Sequence, residues 1–152
     1  MIKLGIASDH RGYILKEQII DRLVDKYDIT DCGTTSNESV DYPDYAFKLG
    51  NLVADKDVDF GIAICGSGIG ISIACNKVKG VRCAKVDNLE EVIATRNDND
   101  SNIIAFGEKM PLDKALELIG KFITTPASQE EKHKRRREKI KEYEEEHQCM
   151  EK

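Results

Sequence analysis

Apolar and polar positions along this 152-residue chain switch repeatedly between two periods. At residues 2–7, Ile2, Leu4 and Ile6 alternate with Lys3 and Gly5, the period of two that marks a strand. Over residues 13–26, Leu15, Ile19 and Leu23 recur every four positions with Ile20 and Val24 beside them, the stripe of an amphipathic helix. A short strand is expected at residues 27–31. Asp41-Tyr42-Pro43 reads as a helix start, with Asp41 as cap and Pro43 in the first turn. That helix runs to about Ala54, with Tyr45, Leu49, Leu52 and Val53 on its apolar side. Residues 60–65 form a central strand, bounded by a glycine-rich turn. A short helix at 69–76, a strand at 81–86, a helix at 89–96, a strand at 102–106 and a helix from Pro111 to about residue 124 follow.

Strands alternating with helices of this length predict an α/β fold. The expected architecture is a three-layer α/β/α sandwich around a five-stranded parallel, Rossmann-like sheet with right-handed crossovers. Ligands of such sheets bind beyond the carboxyl ends of the strands. The residues there are Ser8-Asp9-His10, Gly33-Thr34, Cys65-Gly66-Ser67, Asp87-Asn88 and Gly107-Glu108, so Asp9, His10 and Cys65 are expected to converge. No internal repeat or domain boundary is visible, and residues 1–152 read as one unit. Its C-terminal segment is a polar helix at about 128–148. Ser128-Gln129-Glu130-Glu131 resembles a capping box at its start, followed by Lys132-His133-Lys134-Arg135-Arg136-Arg137 and then an acidic run. This segment fits a solvated helix with i,i+4 ion pairs, or one whose basic residues bind a phosphate.

Composition narrows the function classes. Net charge is −5, against general nucleic-acid binding, and no apolar run approaches membrane-spanning length. The first residues are wrongly flanked for a signal peptide. Five cysteines, an odd number with no C-x-x-C pair, argue against a disulfide framework or a zinc site and point to a reducing, cytoplasmic location.

The chemistry concentrates at Cys65-Gly66-Ser67-Gly68-Ile69-Gly70. A buried strand ends in a thiol, and alternate glycines let backbone N–H groups approach a ligand at a helix start. The expectation is an anion or oxyanion site beside a thiol of lowered pKa, which is what proton abstraction next to a carbonyl requires. The spacing matches neither a P-loop nor G-x-G-x-x-G. It is also compatible with a packing turn around an inert cysteine. Asp9 alone could be a helix cap, His10 a surface histidine, Tyr42 a core aromatic and Asn99 a turn residue.

Taken together, several segments resemble type B ribose-5-phosphate isomerase, within a wider family that includes isomerases of allose 6-phosphate and galactose 6-phosphate. They are Ser8-Asp9-His10-Arg11-Gly12-Tyr13, Asp41 to Ala46, Cys65 to Lys77, Gly80-Val81-Arg82, Asn99 to Gly107, and His133-x-x-Arg136. The resemblance implies interconversion of D-ribose 5-phosphate and D-ribulose 5-phosphate without metal or organic cofactor. It implies Cys65 as the base acting through a cis-enediolate, with amides from Gly66, Gly68, Ile69 and Gly70 around the oxyanion and Ser67 lining that pocket. Asp9 would bind hydroxyls and assist proton movement, Tyr42 would flank the sugar, and Asn99 would bind hydroxyls. His10 and Arg136 would hold the phosphate, helped by Lys109 and Lys132. The implied assembly is a homodimer, or a tetramer, with sites shared between chains. Three positions depart from the family pattern. Asp98 stands where a ring-opening histidine is usual, and Lys109 and Lys132 stand where arginines are frequent. Lysine keeps the charge and loses the bidentate fork. Isomerisation of a six-carbon sugar phosphate and non-catalytic sugar-phosphate binding are the alternative readings, with a nucleotide-binding flavodoxin-like module behind them.

Overall fold

A computed structural model describes residues 1–149 of the chain. The strands are β1 (Lys3–Ser8), β2 (Asp28–Asp31), β3 (Phe60–Cys65), β4 (Cys83–Lys85) and β5 (Ile103–Gly107). The helices are α1 (Tyr13–Leu23), α2 (Tyr42–Ala54), α3 (Ile69–Cys75), α4 (Leu89–Asn99), α5 (Leu112–Thr124) and α6 (Glu131–Cys149). The strands form one parallel sheet in the order β2-β1-β3-β5-β4. The expected α/β sandwich is therefore present.

Side-chain alternation separates the two layers of helix. Leu4, Ile6, Ile62, Ile64, Ile104 and Phe106 face α1, α4 and α5 in one apolar core. Ala7, Ala63, Cys65, Ile103 and Ala105 face α2 and α3 in the other. The second face is built mainly of small residues. A Cβ added at Gly5 would lie 2.7 Å from Leu49 Cδ1, so α2 sits close to the sheet. β1 and β3 are neighbours, yet α1 and α3 leave them on opposite faces. A crevice at the carboxyl ends of two such strands is where α/β sheets bind ligands.

Several boundaries differ from the sequence reading. The strand expected at 81–86 is regular only over β4, a sheet edge, although Val86 N–H still bonds to Ala105 O at 2.9 Å. Helix α4 continues three residues beyond 96, until Asp100 adopts a left-handed φ of 50°. Asp41 is extended at the N-cap of α2, but its side chain makes no capping bond. The Ser128–Glu131 capping box does not form. Ser128 Oγ instead accepts from Glu130 N–H at 3.0 Å, one residue earlier than the box requires.

Candidate active site

The chain reverses sharply after β3. Gly68 has φ of +82°, and a Cβ there would lie 2.7 Å from Phe106 Cα. Only glycine meets both conditions. The turn aims Gly68 N–H at Cys65 Sγ, 3.2 Å away. Ser67 Oγ accepts from Ile69 N–H at 3.1 Å, so that amide is occupied. Among the described residues, the N–H groups of Ser67, Gly70 and Ile71 have no protein acceptor. They are donors left over where a helix begins. Tyr42, at the start of α2, completes this wall. A Cβ on Gly70 would lie 2.7 Å from Tyr42 Cζ, so the ring tip rests on Gly70.

Asp9 and His10 reach the same edge from β1. Asp9 N–H donates to Ile64 O at 3.3 Å, beside the Cys65 turn. Asp9 Oδ1 accepts from Arg11 N–H and Gly12 N–H at 2.9 and 3.1 Å. Asp9 thus closes the turn that leads into α1 and does not cap the helix, whose N-cap is Gly12, and Oδ2 is left without a protein donor among the described residues. His10 Nδ1 accepts from Val40 N–H at 3.1 Å. The ring therefore carries its proton on Nε2, which is left as the available donor. Lys109 lines a cavity of about 340 Å³ together with Gly66, Ser67, Gly107 and Lys114.

The other thiols have different surroundings. Burial pushes the Cys32 thiol up to about 11. The neighbouring Cys75 thiol, together with burial, holds Cys83 well above the ordinary range. Both remain protonated at neutral pH. Cys65 is the thiol that accepts a backbone N–H at the carboxyl edge.

The remaining expected residues lie elsewhere. Helix α4 runs back across the sheet, so Asp98 and Asn99 fall at the amino ends of the strands. Asn102, just beyond them, bonds Gly61 N–H at the start of β3 and Arg82 N–H before β4. The six residues of β3 rise about 3.3 Å each, which puts roughly 17 Å between this end and Cys65. Asp98 Oδ1 accepts from Asn97 Nδ2 at 2.8 Å and lies 3.5 Å from His133 Nε2. Asn99 Oδ1 accepts from Thr95 Oγ1 at 3.3 Å. Lys132 and Arg136 are exposed on α6 beside them. In one chain, then, Asp9, His10, Tyr42, Cys65, Ser67, Gly70 and Lys109 gather at one end of the sheet. Asp98, Asn99, Lys132 and Arg136 gather at the other.

Two arginines missed by the sequence reading hold the second cluster in shape. Arg137 donates to Asp98 O at 3.3 Å and to Ser128 O at 2.8 Å, tying α6 to the end of α4. Arg96 is buried, donates to Thr125 O at 2.9 Å and Ser101 O at 2.8 Å, and lies over the Phe60 ring. Arginine in the last turn of a helix is a general signal for carbonyl capping, which could have flagged Arg96.

A family model described as Ribose/Galactose Isomerase matches residues 4–140. The chain belongs to this family. Ribose-5-phosphate isomerase B of Escherichia coli is 42% identical over 111 residues, 72% of this chain and 74% of that protein. The ribose-5-phosphate isomerase B structure from Clostridium thermocellum superposes with a TM-score of 0.90 at 44% identity, covering 96% of this chain and 99% of its own. The Mycoplasma genitalium ribose-5-phosphate isomerase B structure, with bound ribulose-5-phosphate, gives a TM-score of 0.87 at 32% identity over 95% and 97% of the two chains. The sugar-phosphate isomerase family thus extends over both clusters, from β1 to the middle of α6.

Proposed function

We propose that this chain interconverts D-ribose 5-phosphate and D-ribulose 5-phosphate, with Cys65 as the base. The observation that carries this reading is the Cys65 sulfur held by Gly68 N–H, next to the unpaired amides of Ser67, Gly70 and Ile71. A base beside fixed N–H donors is what enolisation of a sugar needs. Cys65 takes the proton from C2 of the open-chain aldose and returns it to C1. The negative charge that develops on oxygen in the cis-enediolate falls to the unpaired amides, with Ser67 Oγ at the rim. Asp9 Oδ2 moves the proton between O1 and O2. At the far end of the substrate, His10 donates Nε2–H to the phosphate and Lys109 adds charge. Two anchors fix a flexible substrate for proton transfer. None of these roles draws on a metal or an organic cofactor.

The second cluster acts in this reading on the site of another copy. Asp98 opens the furanose ring there, Asn99 binds hydroxyls, and Lys132 and Arg136 bind the phosphate. The working unit is then a homodimer whose two sites each draw on both chains. The exposed apolar side chains Ile69 and Ile73 on α3, with Ile140 and Tyr143 on α6, are suitable material for that contact. We place the enzyme in the cytoplasm on its free thiols; among the described residues no helix is long and apolar enough to cross a membrane.

Two measurements test the reading. Turnover on a panel of five- and six-carbon aldose phosphates is expected to be fastest with ribose 5-phosphate, and a higher kcat/KM for a hexose phosphate overturns the substrate assignment. Cys65→Ala is expected to abolish exchange of the C2 proton with solvent while keeping the fold. Near-normal exchange in that variant removes Cys65 from its role.

A further inference from the structure

Arg11 makes a contact that the roles above leave unexplained. Its Nε donates to Glu108 Oε2 at 2.8 Å, and Nη2 lies 3.4 Å from Oε1, closing a fork on the carboxylate. The guanidinium also lies flat against the Cys65 turn. A Cβ on Gly66 would be 3.0 Å from both Arg11 Cζ and Nη1. Glu108 grips the same turn by its backbone, donating N–H to Gly66 O at 3.3 Å. Asp9 Oδ1 fixes the base of the arginine through Arg11 N–H. Three segments distant in sequence thus hold one cation against the residue that follows Cys65.

Stability does not account for this arrangement. The Arg11 side chain is 56% exposed, and exposed ion pairs contribute little to folding. What the fork does accomplish is geometric. A lone arginine on a loop samples many rotamers, whereas a carboxylate fork fixes the guanidinium plane. The Arg11 guanidinium is held more firmly protonated than usual, first by its hydrogen bond to Glu108, then by the charge of Glu108, with Asp9 and Cys65 adding to it.

We propose that Arg11 is a positioning residue for the Cys65 base: clamped by Glu108 over Gly66, it keeps a fixed positive charge beside the sulfur in its anionic form. The proposal rests on the reading of Cys65 as base. The charged and titratable groups gathered at this edge are Asp9 and His10 after β1, Tyr42 at the start of α2, Asp87 after β4, Glu108 with Lys109 after β5, and Lys114 on α5. Arg11 is the cation whose guanidinium lies directly against Gly66 among the described residues.

The test reads the thiol directly, apart from catalysis. Iodoacetamide labelling of Cys65 is followed across pH by peptide mass spectrometry in wild type, Arg11→Met, Arg11→Lys and Glu108→Gln. Methionine keeps the packing on Gly66 and removes the charge. The midpoint of the labelling profile is expected to rise by about one pH unit in Arg11→Met, slowing labelling near neutrality about tenfold. Arg11→Lys is expected to restore most of the wild-type profile, and Glu108→Gln to fall between. The same order is expected in the acidic limb of kcat against pH. An unchanged midpoint in Arg11→Met overturns the proposal, as does an equal shift in Arg11→Met and Arg11→Lys, which would mark a steric role. Cys65→Ala retaining proton exchange defeats the base assignment instead, so the two failures are distinguishable.

Discussion

Two glycines two positions apart along the Cys65 turn do different work, and substitution separates them. Gly68 holds a left-handed φ, and an alanine Cβ there meets the Phe106 main chain. Gly68→Ala must distort either the turn or β5. The left-handed conformation alone costs about 1–2 kcal/mol, and the backbone clash adds to it. The variant should lose thermal stability and activity together. At Gly70 the added Cβ meets only the tip of the Tyr42 ring, a side chain that can rotate away. Gly70→Ala should therefore keep a near-native melting temperature while raising KM, because Tyr42 leaves its place. Circular dichroism melting and steady-state kinetics on both variants check the contrast; equal loss of stability in both would refute it. These residues were legible in the sequence because the turn is local. Strand, thiol and glycines all fall within eleven positions. Arg11 and Glu108 were not legible as a pair, since 97 positions separate them and neither belongs to a periodic pattern.

Helix α6 is the element with the least apolar surface of its own, and a few polar ties hold it. Arg137 bonds to the carbonyls that close α4, and Glu144 Oε1 accepts from Gly80 N–H at 2.8 Å. Removing Arg137 frees main-chain acceptors at the α4 end as well as the helix itself. Arg137→Ala is expected to speed amide hydrogen exchange across residues 131–149, leave exchange in β1 and β3 unchanged, and raise KM several-fold. The KM effect follows because Arg136 and Lys132 ride on the same helix. Unaltered exchange in α6 would show that the tie is dispensable. Elements with a face to bury, such as α1, α2 and β3, were predicted in type from their periodicity, whereas α6 was read from its polar and charged pattern. Periodicity misjudged ends governed by single contacts, such as the left-handed Asp100 that closes α4. The place of β5 between β3 and β4 was not legible either. Chain order says nothing about which side of a sheet a later strand joins.

At the scale of the whole molecule, the two clusters at opposite ends of the sheet make a quantitative demand. In the twofold dimer proposed above, each end of one chain meets the opposite end of the other. Cys65→Ala disables one end, and Arg136→Ala weakens the other. When the two variants are unfolded together and reassembled, half of the dimers should be mixed. Each mixed dimer then holds one intact site and one doubly altered site. Wild-type-like sites should number about one quarter of the wild-type total. The recovered activity should carry wild-type KM, a property neither parent can supply. No recovery above the sum of the parents would mean that each chain works alone. The separation also predicts how inherited defects combine. In a cell carrying two faulty copies of the gene, lesions at Asp9 or Cys65 should be partly rescued by lesions at Asn99 or Arg136. Lesions within the same set should never rescue one another. The alleles would sort into two complementation groups, and the boundary between the groups would be the sheet itself.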